Sequence, residues 1–188
     1  RWCVSWRSWV VPTGVSEWAA RRSRYLTQFD DSGGTWEAAQ AQSSGYNAGE
    51  ILSRVKTSTQ AVLRAEAAFE RDGVEFAAPQ YRWPVLAGLL EVAARDGELK
   101  VLDFGGSLGS LYWQHRKFFT GLKVSWGVVE QPEFVAVGKD LDQSSIDFFS
   151  SVTKYLESIT PNVVLLSSVL QYLPNPEQAL RELLATPA

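Results

Sequence analysis

Lys100-Val-Leu-Asp-Phe-Gly-Gly-Ser-Leu-Gly-Ser110 is the stretch on which the fold turns. Val101 and Leu102 are a short β-prone apolar run that ends at Asp103. Gly105, Gly106, Ser107 and Gly109 then make a small-residue turn, and Leu111-Tyr-Trp-Gln-His-Arg-Lys-Phe-Phe119 reads as a helix. A strand, a tight turn and a helix start form a corner that a nucleotide can approach closely. Glycine has no Cβ in the way, and the first helical N–H groups are unpaired.

The spacing selects among nucleotides. The dinucleotide fingerprint G-x-G-x-x-G, laid from Gly105, needs glycine where Ser107 and Ser110 stand. An acid-x-G-x-G-x-G turn suits S-adenosylmethionine (SAM), and it is met at Asp103, Gly105 and Gly109, with Ser107 in place of the middle glycine. SAM has no pyrophosphate but carries a cationic α-amino group, which a strand-end carboxylate can hold directly or through water. A glycine-rich turn with no ligand gives the same pattern, so a second anchor matters. Val124-Ser-Trp-Gly-Val-Val-Glu130 supplies it: a buried strand ending on an acid, 27 residues after Asp103. A ribose-binding acid lies about 20 residues on, and a slightly long first helix and loop account for the excess. Glu130 is thus expected to accept both ribose hydroxyls.

Further strands follow in rhythm. Ser145-Ile-Asp-Phe-Phe149 is a short strand and Val152–Ser158 a short helix. Asn162-Val-Val-Leu-Leu-Ser-Ser168 is an apolar run of the kind buried on both faces of a parallel sheet, and Glu177–Leu184 is a helix. Strands alternating with helices predict βαβ units and an α/β fold with a doubly wound, mostly parallel sheet. Ligands in such sheets sit beyond the carboxyl ends of the strands. Asp103, Glu130, Ser150, Ser151, Ser168 and Gln171 are therefore expected to converge on one crevice.

The segments Ser43-Ser-Gly-Tyr46, Val101–Ser110, Val129-Glu130-Gln131 and Leu165-Leu-Ser-Ser-Val-Leu-Gln-Tyr-Leu173 resemble a bacterial family of SAM-dependent methyltransferases associated with surface-polysaccharide and lipopolysaccharide gene neighbourhoods. The resemblance runs from Trp36 to Leu184. It implies a class I, Rossmann-like methyltransferase fold with SAM as cofactor and a small-molecule or saccharide acceptor, and it supplies no catalytic residue.

Three regions are expected. Residues 1–34 are a basic, tryptophan-rich extension, with Trp2, Trp6, Trp9 and Trp18 among Arg1, Arg7, Arg21, Arg22 and Arg24. That mixture suits contact with an anionic membrane surface, although Pro12 and Gly14 interrupt any helix. Residues 35–96 read as a helical cap. Asn47-Ala-Gly-Glu50 has the form of a helix start, Ile51, Leu52, Val55, Val62, Leu63 and Phe69 mark one face as far as Gly73, and Pro84 opens a second helix. Tyr46, in a turn of this cap, is placed to contact the methionine end of SAM or the acceptor. Residues 97–188 are the SAM-binding core.

Composition excludes other classes. The chain has 188 residues, 45% hydrophobic and 21% charged, with a net charge of −3, which gives no electrostatic footprint for nucleic acid. One cysteine, Cys3, allows no intrachain disulfide, and one histidine, His115, allows no histidine metal cluster. No apolar run approaches the ~20 residues of a membrane span and no signal peptide stands out, so a cytoplasmic location is expected. The chain starts at Arg1 and has no methionine, and its alternation stops after a fourth strand where a class I sheet has seven. A piece lacking its C-terminal strands is expected, its fourth strand an apolar edge open to self-association.

No residue carries a catalytic assignment. His115 lies on a helical face that packs against the sheet and reads as structural, and a carboxylate such as Asp72 is the other candidate base. Two further function classes share the scaffold: an NAD-dependent oxidoreductase or epimerase, and a non-catalytic SAM-binding module.

Overall fold

The computed structural model describes residues 34–42, 49–141 and 145–186. The tryptophan-rich extension with its expected membrane contact, the turn carrying Tyr46, and the Asn47 cap lie outside the described residues. The chain divides into two compact units, residues 1–43 and 44–188. In the first, helix α1 (Trp36–Gln42) is capped by Thr35, whose Oγ1 accepts the N–H of Ala38 at 3.2 Å.

The second unit is α/β. It opens with α2 (Gly49–Leu63), a hairpin of β1 (Phe69–Arg71) and β2 (Val74–Phe76), and α3 (Trp83–Asp96). The parallel sheet follows as β3 (Leu99–Phe104), α4 (Ser110–His115, then a 3-10 turn over Arg116–Phe119), β4 (Val124–Val129), α5 (Pro132–Asp140), β5 (Asp147–Phe149), α6 (Val152–Leu156), β6 (Val163–Leu166) and α7 (Pro176–Leu184). Its order is β5-β4-β3-β6, all pairs parallel. The first strand, β3, is therefore central, and the order reverses between β3 and β6.

Alternation along β3 divides the core. Leu99 and Val101 join Trp126, Val128, Leu86, Leu89 and Phe134 on one face, where α2, α3 and α5 pack. Leu102 joins Val129, Tyr155 and Leu183 on the other, under α6 and α7. Glycine opens the second face. An added Cβ on Gly127 would meet the Tyr155 ring at 2.4 Å, so this aromatic lies directly on the β4 backbone. Asn162 starts β6 in register: its Oδ1 accepts the Lys100 N–H at 2.7 Å and its Nδ2 donates to the Glu98 carbonyl at 2.9 Å.

Two expectations are corrected. The apolar face read as one helix to Gly73 ends at Leu63, and Phe69–Phe76 is a hairpin. Asp72 and Gly73 both have positive φ (52° and 73°), the two-residue turn that Asp-Gly adopts most readily between strands. Phe69 and Phe76, opposite in register, stack with centroids 4.5 Å apart. The second correction concerns β6. It is half-buried rather than buried on both faces; among the described residues it pairs with β3 alone, at the edge where it was expected.

Tyr155 gives a stability test. Its ring is fully buried, and its hydroxyl has no hydrogen-bond partner among the described residues. Tyr155→Phe should change stability by less than about 0.5 kcal/mol or raise it, because no bond is lost. Tyr155→Ala should cost about 3–5 kcal/mol, as large aromatic truncations do. Urea unfolding of the two variants checks this; a costly Tyr155→Phe would reveal a bond that this packing does not contain.

Candidate functional site

A cavity of about 600 Å³ lies where the strand order reverses, walled by the segment that leaves each strand's carboxyl end. Phe104, at the end of β3, leads into Gly105 to Ser107; Val129, at the end of β4, leads into Glu130 to Pro132; Ser150 to Thr153 follow β5, and Ser167 to Val169 follow β6. Arg71 and Asp72 from the hairpin tip, Arg82 before α3, and Tyr172, Leu173 and Glu182 complete it. Its size suits a small molecule, and its position is where open parallel sheets bind ligands.

Glu130 joins two of these walls. Its Oε1 accepts the N–H of Ser107 at 3.1 Å and its Oε2 that of Gln131 at 2.8 Å. Burial pushes its carboxyl above the usual carboxylate range, against the pull of these two bonds. The turn it holds is tight. Gly105 has φ +72°, and a Cβ there would sit 2.4 Å from Cγ2 of Val169, so the β6 loop rests on the glycine. Ser107 and Ser168, both on the cavity wall, adopt positive φ (57° each) without being glycine. Such backbone costs energy and persists only where the surroundings enforce it.

Of the residues expected at the site, Gly105, Gly106, Ser107, Glu130, Ser151 and Ser168 line the cavity. Ser151 also caps α6, its Oγ accepting the Lys154 N–H at 3.2 Å. Asp103, Gly109 and Gln171 do not reach the cavity. Asp103 is 0% exposed and lies beneath the turn, where a Cβ on Gly106 would meet its carboxylate at 2.5 Å. The Trp126 indole donates to its Oδ2 at 3.1 Å, and Oδ1 has no partner among the described residues. Burial pushes its carboxyl up to about 7, and the neighbouring Glu130 adds to the rise. It packs under the turn, behind the cavity wall. Gly109 faces Ile146, whose Cδ1 would lie 2.3 Å from an added Cβ. Gln171 is exposed on the 3-10 turn Leu170–Tyr172 and is not on the cavity wall, whereas the next residue, Tyr172, is. Tyr46 lies outside the described residues.

His115 is structural, as its position on α4 predicts. It is fully buried, with Nδ1 against the Leu111 carbonyl at 2.8 Å and Nε2 accepting the Arg82 N–H at 3.0 Å. That pairing requires the neutral ring with its proton on Nδ1, and burial lowers its pKa. The sequence alone gives Arg71 and Arg82 no part in the site, and the structure brings both to its wall. The available signal was Asp72-Gly73, which makes Arg71 a hairpin-tip residue. Among the described residues no group of histidine, cysteine and carboxylate side chains could hold a metal, and no helix is long and apolar enough to cross a membrane. Comparison of the chain with protein-family models, curated proteins and solved structures finds no match.

Asp103 gives a pH test. Its folded-state carboxyl titrates near 7 against an ordinary 3.8, so folding favours the protonated form. That contribution is fully present below pH 3.8 and lost as pH rises through 7. Asp103→Asn, whose amide oxygen still accepts from Trp126, should gain about 3–5 kcal/mol on wild type between pH 4 and pH 8. Parallel denaturation curves at the two values measure this. Equal pH slopes for the two proteins would show that Asp103 ionises freely when folded.

Proposed function

We propose that this chain is a SAM-dependent methyltransferase of the class I type, acting on a small-molecule or saccharide acceptor. The observation that carries the reading is Glu130: a strand-end carboxylate on the cavity wall, bonded to the backbone of the glycine turn. Each of its oxygens accepts one N–H and keeps a second lone pair, so the pair of ribose hydroxyls of an adenosyl group finds two acceptors. The sheet order supports the same reading. Numbered by appearance in the sheet it is 3-2-1-4, the order of a doubly wound Rossmann-like sheet around its switch point.

Glu70 weighs against a dinucleotide. Its buried carboxylate bonds Ser110 Oγ at the first residue of α4, where a pyrophosphate would need the free helix N-terminus. A nucleoside without phosphates has no such need.

In this reading Gly105, Gly106, Ser107 and Glu130 would hold the adenosyl group, with Val129, Pro132 and Val152 as apolar wall, and Ser168 would face the methionine end. Bound SAM supplies a methyl group already activated by its sulfonium. The chain's own task is to align the acceptor and exclude water. His115 is no base for that reaction, because both ring nitrogens are engaged with backbone. Asp72, exposed at the hairpin tip on the cavity rim, is the carboxylate that an acceptor hydroxyl could meet.

Isothermal titration tests the reading. S-adenosylhomocysteine should bind the wild-type chain, and Glu130→Ala should weaken it by about 1–3 kcal/mol, the scale of lost hydrogen bonds to a charged group. Equal affinity in a folded variant would remove Glu130 from the site, and preferential binding of NAD would favour the oxidoreductase reading.

A further inference from the structure

Among the described residues the cavity wall carries two guanidinium groups that form no salt bridge, although the Arg71 charge also acts on the buried Glu70 carboxyl. Arg71 and Arg82 are both half-buried, and among the described residues neither forms an ion pair. The Arg71 guanidinium carbon lies 5.7 Å and 5.9 Å from the ring centres of Phe69 and Phe76. Arg82 donates from Nη1 to Ser167 Oγ at 2.9 Å, one of the five donors a guanidinium owns. A half-buried guanidinium with unspent donors is matched by an oxyanion, whose oxygens accept two parallel N–H bonds.

The backbone that carries both groups is tied down before any ligand arrives. The hairpin tip is tied down by Glu70, which accepts the Gly73 N–H at 3.1 Å and bonds Ser110, and by Ser58, which donates to the Gly73 carbonyl at 2.9 Å. Arg82 is held through its backbone by the buried imidazole of His115. With the backbone held, binding has only side-chain freedom left to restrict.

We propose that Arg71 and Arg82 form an anion subsite that recognises an oxyanion, carboxylate or phosphate, on the methyl acceptor. Assigning the oxyanion to the acceptor rests on the methyltransferase reading; the subsite itself does not. SAM carries a sulfonium, an ammonium and one carboxylate, a net positive charge. Two guanidiniums beside a net cation call for a negatively charged companion, and an anionic acceptor provides it while binding next to the cofactor. The acids of the same wall do not remove that need. Asp72 and Glu182 are exposed at the rim, and Glu130 is engaged with Ser107 and Gln131.

The test uses the whole chain and four probes: phenyl phosphate, phenol, S-adenosylhomocysteine and 5′-methylthioadenosine, which lacks the amino-acid part. Arg71→Gln and Arg82→Gln remove charge while keeping hydrogen-bonding capacity, and Arg→Lys versions at both positions keep the charge. Folding is checked by thermal melts. Wild type should bind phenyl phosphate and not phenol, each Gln variant should weaken phenyl phosphate by about tenfold or more, and the Lys variants should recover part of the loss. Binding of S-adenosylhomocysteine and methylthioadenosine should stay within about twofold, since neither assigned role involves them. Loss of S-adenosylhomocysteine with methylthioadenosine unaffected would assign the arginines to the cofactor's carboxylate and overturn the proposal. So would phenyl phosphate binding that ignores both substitutions, or none at all. Arginine-dependent phenyl phosphate binding by a chain that takes no S-adenosylhomocysteine would sustain the subsite and sink the SAM reading.

Discussion

The bond from the Ser107 N–H to the Glu130 carboxylate is the point where the turn after β3 and the end of β4 become one wall. The turn cannot open without losing it, and Glu130 cannot rotate away without leaving the half-buried Ser107 N–H without its protein partner. The same turn is braced from below by Asp103 and from the side by Val169, both at distances only glycine allows. Three neighbours thus hold a turn whose non-glycine Ser107 sits at positive φ on the cavity wall.

These contacts change what the glycines mean. Gly105 and Gly106 accommodate Val169 and Asp103, and Gly109 accommodates Ile146. Close approach here is of protein to protein, and it shapes the cavity from behind. The ligand-facing chemistry comes instead from side chains placed around the rim: a carboxylate at β4, hydroxyls after β5 and β6, and two guanidiniums from the elements that precede the sheet.

Much of the sheet was legible in the sequence, for physical reasons. An apolar run ending in an acid and then glycines has few alternatives; β4, β5 and β6 fall within the expected runs, and β3 extends its run at both ends. The convergence of Gly105, Ser107, Glu130, Ser151 and Ser168 followed from the parallel order alone. The hairpin was missed because Phe69 also fits the apolar period of α2, and tertiary stacking with Phe76 decided the matter. Asp103 was misplaced although alternation held the answer: it shares a face of β3 with Leu99 and Val101, and so points into the core beside Trp126. Gln171 depended on the phase of a single 3-10 turn, which composition does not encode.

The crevice between the ends of β3 and β4 is proposed to take an adenosyl group. Amide chemical shifts of the isotope-labelled chain, followed through titrations with S-adenosylhomocysteine and with NAD, test it directly. Saturable shifts at Gly105, Gly106, Ser107 and Gln131 with S-adenosylhomocysteine, and none there with NAD, are the expected result. Unmoved amides at those four positions, or a response confined to another part of the chain, would contradict it.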